Sequence, residues 1–235
     1  MIDFHSHILP GIDDGSRSIE ETKNLLLEAK NIGITKIIST SHYAIDCFET
    51  PEYKREELIK QLNSENKYPE IILGSEIFLT YNIIDLLKEY KASPINKTNY
   101  ILFELPLKEQ FLNLKDLINK LKENNYKLIL AHPERYYIIQ KNFNYLLELK
   151  EMGIIFQSNY ASILGYYGLN AKLTLKKMLK NNLVSLLGSD VHRENTIYPR
   201  IPRAIKKIKS IITEEYFKDI SENNALKILN NENIF

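Results

Sequence analysis

Residues 2–15 read Ile-Asp-Phe-His-Ser-His-Ile-Leu-Pro-Gly-Ile-Asp-Asp-Gly: a short apolar strand that ends in two histidines, then a loop with two adjacent carboxylates. Side chains on a strand alternate with period two, so His5 and His7 project to one side, as two ligands of one metal ion must. Pro10, Gly11 and Gly15 make the following loop a turn, which places Asp13 and Asp14 to fold back over the strand end. The other three histidines of the chain, His42, His132 and the last residue of Asp190-Val-His192, also follow or close short runs rich in Ile, Leu, Val or Thr. None is left for ordinary surface duty.

Seven runs have strand length and β-branched bias: 2–5, 35–40, 70–75, 99–104, 127–131, 153–157 and 183–188. Between them, 19–32, 52–63, 113–124, 142–151, 171–182 and 200–212 carry apolar residues at helical spacing. Ser18 with Glu21 is a capping-box pattern, and Gly33 and Gly153 suit helix C-termini. The tail 213–235 reads as one or two short polar helices. Strands that are apolar nearly throughout, alternating with helices, imply a parallel sheet covered by helices. An open doubly wound sheet and a closed barrel both satisfy that pattern. His5, His42, Glu76, Glu104, His132 and Asp190 decide between them, because each falls at or just past the C-terminal end of a predicted strand. In a barrel those ends converge on one mouth, whereas the edges of an open sheet would hold them apart. The expectation is one α/β domain over 1–235, a TIM-like barrel of seven strands.

A carboxylate at the tip of an apolar strand, as at Glu76 and Glu104, is costly to desolvate without a compensating cation or donor. A mixed His and carboxylate set with no thiolate suits Mn, Fe or Zn in a reactive site better than a structural zinc. Each residue has a plainer explanation alone: a satisfied core histidine, a helix cap at Asp190 and His192, a lysine partner for Glu104. Nine suitable side chains at one barrel end make coincidence a poor account. Arg135, in His132-Pro-Glu-Arg, brings a planar fork of donors beside the metals, suited to gripping a phosphate monoester; the alternative is a salt bridge to Glu134 or another loop acid. Arg193, Arg200 and Arg203 follow the last ligands.

With 31 Lys+Arg against 30 Asp+Glu, the net charge of +1 implies no broad basic field and argues against nucleic acid as a partner. The single cysteine, Cys47, excludes an internal disulfide, and Tyr53 stands where a cysteine phosphatase would need its arginine; Cys47 is expected to be a plain, partly buried thiol. The opening residues lack a signal-peptide pattern and no window approaches about 18 consecutive apolar residues, so a cytoplasmic protein without membrane insertion is expected.

Residues 3–15, with Thr40-Ser41-His42, Gly74-Ser75-Glu76, Phe103-Glu104, Ala131-His132-Pro133-Glu134-Arg135, Gln157-Ser158-Asn159 and Gly188-Ser189-Asp190-Val191-His192, resemble the polymerase-and-histidinol-phosphatase (PHP) superfamily. More narrowly, they resemble its manganese-dependent bacterial tyrosine phosphatases of capsular and exopolysaccharide operons. The resemblance spans residues 1 to about 203, and Leu-Pro-Gly-Ile-Asp-Asp-Gly is its specific part. It implies a distorted (β/α)7 barrel with a three-metal centre at the C-terminal strand ends, manganese in assays and iron or zinc as alternatives. The implied ligands are His5, His7, Asp14, His42, Glu76, Glu104, His132, Asp190 and His192, with Asp13 the competitor of Asp14. Arg135 matches the family's phosphate-gripping arginine, and Arg193 lies nearest a second one.

The implied reaction is hydrolysis of phosphotyrosine on a protein, such as the tail of a bacterial tyrosine kinase governing capsule or exopolysaccharide synthesis. A metal-bound hydroxide would attack phosphorus in line, with Asp14 or His42 assisting departure of the tyrosine oxygen. The competing readings are a small-molecule phosphatase such as one for histidinol phosphate, a PHP-type nuclease, and a metal-binding regulatory module without turnover. An amidohydrolase would need a metal-bridging lysine, for which no strong candidate stands out.

Overall fold

The computed structural model describes residues 1–234; Phe235, the last residue of the expected domain, lies outside them. Strand β1 (Ile2–Ser6) leads through helix α1 (Ile19–Asn31) to β2 (Lys36–Ser39) and β3 (His42–Tyr43), then α2 (Glu52–Asn63), β4 (Glu70–Leu73), β5 (Glu76–Phe78) and α3 (Ile83–Lys88). Next come β6 (Tyr100–Glu104), α4 (Leu114–Glu123), β7 (Lys127–Ala131), α5 (Tyr137–Lys141), α6 (Phe143–Glu151), β8 (Ile155–Asn159) and α7 (Leu169–Lys180). Strand β9 (Leu186–Gly188), α8 (Ile201–Lys209), α9 (Glu214–Lys218) and α10 (Asn224–Leu229) complete the chain. Every strand pairing is parallel, in the orders β1-β2-β4 and β3-β5-β6-β7-β8-β9. The two sets form one curled sheet wrapped by helices.

The strands expected at 35–40 and 70–75 differ from the structure: each stops early and restarts, giving nine strands among the described residues where seven were read. The break after β2 has a chemical cause. Ser6 Oγ donates to the Ile38 carbonyl at 2.9 Å and Thr40 Oγ1 accepts from Ser6 N at 3.1 Å, so hydroxyls intercept backbone groups that a continuous ladder would use. Hydrogen bonds still cross the step, from Thr40 N to Ser6 O (2.9 Å), Gly74 N to Ser39 O (3.0 Å) and Glu76 N to Thr40 O (3.1 Å). The restarted pieces carry His42 and Glu76. The short helices α3 and α5 were not anticipated, being too brief to show a period.

The first and last strands lie side by side. Asp190 N donates to His5 O at 2.7 Å and His7 N to Val191 O at 3.0 Å. Asp3, fully buried, accepts from Ser189 N at 2.7 Å and from the Tyr198 hydroxyl at 2.9 Å. One face of the sheet buries Ile2, Phe4, Ile38, Leu102, Ile129 and Leu186 against Ala225 and Ile228 of α10; the other packs on the helices. The register slips between Asp3 and Ser6, and a bulge of this kind re-aims the side chains that follow it, here the two histidines.

Helix termini obey the local signals. Ser18 accepts from Glu21 N at 3.1 Å, while the Glu21 carboxylate returns to Arg17 N rather than to the cap itself. Gly33 and Gly153 adopt left-handed φ values of 84° and 78° just past α1 and α6. Helix α4 buries Leu114, Leu117, Ile118 and Leu121, spaced i, i+3, i+4, i+7, each stabilising the fold by about 1.5–3 kcal/mol. Cys47 departs from expectation: it is exposed, in a turn closed by Ala44 and Phe48. Among the described residues, no helix is long and apolar enough to cross a membrane.

Gly188 sits where β9 meets β1, and a Cβ there would lie 2.5 Å from His5 Cβ and 2.8 Å from Gln157 Nε2 and His5 N. Gly188→Ala is therefore expected to cost about 1–3 kcal/mol through overpacking, lowering the melting temperature by several degrees in a calorimetric scan. An unchanged melting temperature would contradict this packing.

Candidate metal centre

The curl of the sheet brings the ends of β1, β3, β5, β6, β7 and β9 to one pocket. At its centre Glu76, fully buried, has four imidazoles around its carboxylate. His5 Nε2 lies 3.1 Å and His7 Nε2 3.2 Å from Oε2, His42 Nδ1 3.2 Å from the same oxygen, and His132 Nε2 2.8 Å from Oε1. His5 Nε2 and His7 Nε2 are themselves 3.1 Å apart. Glu104 Oε1 meets His42 Nδ1 at 3.1 Å. Asp190 Oδ1 lies 3.5 Å from His7 Nε2 and 3.6 Å from His192 Nδ1, and Asp14 Oδ1 lies 3.3 Å from His192 Nε2.

Outer residues hold these side chains. Gln157 Oε1 lies 2.7 Å from His5 Nδ1, and Asp13 Oδ2 lies 2.8 Å from His7 Nδ1 while also accepting from His42 N. Each leaves an Nε2 directed inward, the usual arrangement behind a metal-binding histidine. The two neighbouring aspartates thus differ in what they touch: Asp13 is spent on His7 and on the backbone of Gly15 and His42, whereas the Asp14 carboxylate faces His42 and His192. The loop can return this closely only because residue 15 is glycine; a Cβ there would stand 2.1 Å from the His7 carbonyl oxygen. Asp190 Oδ2 takes three donors, Arg135 Nη1 and Asn159 Nδ2 at 2.7 Å and the Tyr167 hydroxyl at 3.2 Å, which turns Oδ1 toward the histidines. His132 and Asp190 both have left-handed backbone, φ 36° and 56°, a conformation uncommon outside glycine and concentrated at functional sites.

All nine residues read as ligands from the sequence meet in this pocket. Arg135 pairs with Asp190 rather than Glu134, and its guanidinium stacks 4.5 Å from the Tyr167 ring centre. Glu134 turns away, accepting from Asn159 N and Ser162 Oγ. Arg193 donates to the Gly15 and His192 carbonyls. Sequence reasoning missed the roles of Gln157, Asn159 and Tyr167. No spacing marks Tyr167, since its place follows from the irregular segment after β8.

The donor set suits divalent ions. Three overlapping groups, His7 with Asp14, His42 and His192, His5 with His7 and Asp190, and His42 with Glu76 and Glu104, each have ligand atoms within 4.8 Å of one another. Ligands bonded at about 2.1 Å to one ion stand about 3.0–3.4 Å apart, a spacing shared by the pairs His5–Glu76, His7–Glu76, His42–Glu76, His42–Glu104 and Asp14–His192. Among the described residues, the buried His132 Nδ1 has no hydrogen-bond partner.

Electrostatics say the same. Burial opposes charge on His7, but Asp13 outweighs it and raises the imidazole well above its ordinary value. Burial likewise opposes charge on His42, yet Glu76 and Glu104 lift it to about 9. Burial favours the neutral form of Glu76, but the charges of His5 and His42 hold it well below the carboxylate range. The hydrogen bond from His192 lowers Asp14. Without metal, protons on the imidazoles balance the acids; divalent ions would replace those protons.

The comparisons with known proteins agree with this chemistry. Residues 1–230 match the family model described as "Capsular polysaccharide synthesis, CpsB/CapC". The tyrosine-protein phosphatase CpsB of Streptococcus pneumoniae is 30% identical over 238 residues, covering 97% of this chain and 98% of that protein. A solved chain from the crystal structures of YwqE of Bacillus subtilis and CpsB of Streptococcus pneumoniae, described as unique metal-dependent tyrosine phosphatases, superposes with a TM-score of 0.91. It is 28% identical and covers 100% of this chain and 96% of that one. A histidinol phosphate phosphatase of Lactococcus lactis, solved with zinc, L-histidinol and phosphate, shares the fold alone, with a TM-score of 0.59, 16% identity and coverage of 89% and 93% of the two chains.

Two outcomes follow. Asp13→Asn should weaken metal binding about 10–100-fold, as loss of a ligand's outer partner does, read by titration calorimetry on metal-stripped protein; unchanged affinity would remove Asp13 from the site. His42 has a folded pKa of about 9 against 6.5 unfolded, so its ion pairs stabilise the metal-free protein fully below about pH 6.5. That stability is lost as pH rises through about 9. The melting temperature of stripped protein should fall across this window while the increment from added Mn2+ grows, and a flat metal-free profile would contradict the ion pairs.

Proposed function

This chain belongs to the CpsB/CapC family of capsular polysaccharide synthesis, and from that premise we propose that it is a metal-dependent phosphatase of phosphotyrosine on proteins. The observation that carries this reading is the fully buried Glu76 carboxylate ringed by four imidazoles. We assign His5, His7, Asp14, His42, Glu76, Glu104, His132, Asp190 and His192 to three ions at the mouth of a distorted (β/α)7 barrel formed by a single domain. Manganese is the assigned metal, with iron or zinc as substitutes. The substrate is a phosphotyrosine protein, of which the tail of a tyrosine kinase controlling capsule or exopolysaccharide synthesis is the prime example, and the assigned compartment is the cytoplasm.

When bound, divalent ions acidify water toward neutrality and neutralise charge on the phosphoryl oxygens. The protein's own groups do the rest. Arg135, fixed by Asp190 on one nitrogen and by Tyr167 under its plane, keeps further donors to hold the phosphate in one orientation. Arg193, anchored on the loop carbonyls, lines the same cavity. Asp14 and His42 flank the open side, where the tyrosine oxygen departs. Asp14 is held ionised, so it orients a donor there rather than supplying the proton. Phenolate, with a pKa near 10, leaves without strong acid assistance. Burial keeps Tyr167 protonated, so its hydroxyl goes on donating to Asp190.

Purified protein with Mn2+ should hydrolyse a phosphotyrosine peptide faster than histidinol phosphate. Activity should vanish with chelator, fall by more than about 100-fold in His132→Ala on the scale of a lost metal contribution, and survive Cys47→Ser. Loss of activity in Cys47→Ser, or histidinol phosphate as the better substrate, would overturn the reading.

A further inference from the structure

Outward from Asp190, two guanidiniums bracket a pair of tyrosines in a ladder that reaches the surface. The Arg135 guanidinium lies 4.5 Å from the Tyr167 ring centre, Tyr167 meets Tyr166 edge-on with centroids 5.0 Å apart, and the Arg200 guanidinium lies 5.4 Å from the Tyr166 ring. The inner end is fixed, because Arg135 donates to Asp190. The outer end is open. Tyr166 is 48% exposed, and Arg200 commits only its Nε, donated to the Thr196 carbonyl at 2.8 Å. Its two terminal nitrogens have no partner among the described residues. Between the ends, Arg135, Tyr166, Tyr167, His192, Arg193 and Ile197 wall a cavity of about 200 Å³ beside the metal pocket.

The charge distribution points the same way. From Met152 to Thr213 the chain has ten Lys or Arg residues against two acids, Asp190 and Glu194. Asp190 is inside the pocket, and Glu194 accepts from Asn24 of α1. Helices α7 and α8, both from this stretch, contain no acid at all. A near-neutral total thus conceals a basic stretch of sequence to which Arg200 belongs, although Lys209 within it pairs with Glu214 just beyond.

Resting on the phosphatase reading, we infer that this ladder recognises the polypeptide on one side of the phosphotyrosine, with Arg200 pairing an acidic side chain of the substrate. A guanidinium stacked on an aromatic ring presents its terminal N–H groups as a pre-set fork, the geometry a carboxylate accepts bidentately. The ladder has three contacts of about 5 Å each, and an extended chain advances about 3.4 Å per residue, so the acid falls within about four residues of the phosphotyrosine. Continuity with the metal pocket ties Arg200 to the substrate rather than to a separate surface.

The test uses two phosphotyrosine peptides that differ only in Glu or Gln at the second to fourth positions on either side, with free phosphotyrosine as the reference substrate, in Mn2+. The wild type should favour the Glu peptide by about fivefold in kcat/KM, the scale of one well-aligned exposed ion pair, with the difference in KM. Arg200→Gln should abolish the preference and leave turnover of free phosphotyrosine unchanged, which also shows that the variant folds. Tyr166→Leu should reduce the preference by removing the surface on which Arg200 rests. Equal rates on the two peptides in the wild type, or a preference that survives in Arg200→Gln, overturns the inference. So does binding to phosphatidylglycerol vesicles that Arg200→Gln abolishes while the peptides remain equivalent, since Arg200 then serves a membrane surface. Failure to turn over even free phosphotyrosine sinks the phosphatase reading itself, and the recognition track with it.

Discussion

The structure is organised around one demand: a carboxylate with no access to water, Glu76, must be surrounded by partners that come from places far apart in the chain. His5, His7, His42 and His132 reach it from three strand ends and one turn, and Glu104, Asp14, Asp190 and His192 close the circle. An isolated buried carboxylate costs several kcal/mol, and the cost is offset only if the positive partners arrive together. His5, His7 and His42 are in turn loaded with acid neighbours that raise their affinity for protons. The pocket is a store of positive charge waiting to be exchanged, and divalent ions are the natural exchange.

The step in the sheet serves that demand. A continuous second and third strand would carry Tyr43 and Glu76 along the regular pleat; the break shifts β3 and β5 onto a second register. Arg55 secures the step from behind. Buried beneath α2, it donates to the Gly74 carbonyl at 3.2 Å, to Ser75 Oγ, to the Lys91 carbonyl and to Ser93 Oγ. Its charge is buried with Glu52, which accepts from Ser93 nearby. Burial lowers the Arg55 pKa to about 10, still far above neutrality, so the guanidinium stays charged and its hydrogen bonds persist. Glu76 follows directly on the segment Arg55 grips.

How far the sequence foretold this differs from residue to residue. The histidines were legible because strand alternation converts His-x-His into geometry without further information, and because strand ends in a parallel sheet share one side. The helix faces were legible for the same reason, as the buried stripe of α4 shows. Asp13 and Asp14 were not separable, since adjacent residues in a glycine-rich loop differ only in which way each turns. Gln157 and Tyr167 were illegible as supports because their partners, His5 and Asp190, lie far off in sequence. The break after β2 escaped notice because it depends on Ser6 and Thr40 finding each other across the sheet. Cys47 was read as partly buried from its type alone, whereas the tight Ala44–Phe48 turn pushes it outward.

Asp3 and the backbone bonds between β1 and the segment after β9 join the two extremes of the site in sequence. During synthesis this strand therefore waits, its histidines and buried acid uncompensated, until the segment 186 residues beyond it has left the ribosome. Contacts of such long sequence separation form slowly, and partly assembled α/β sheets expose unpaired edges meanwhile. The ligands from β1 and from the segment after β9 meet only once these bonds have formed, so the complete ligand set is assembled at the end of that process.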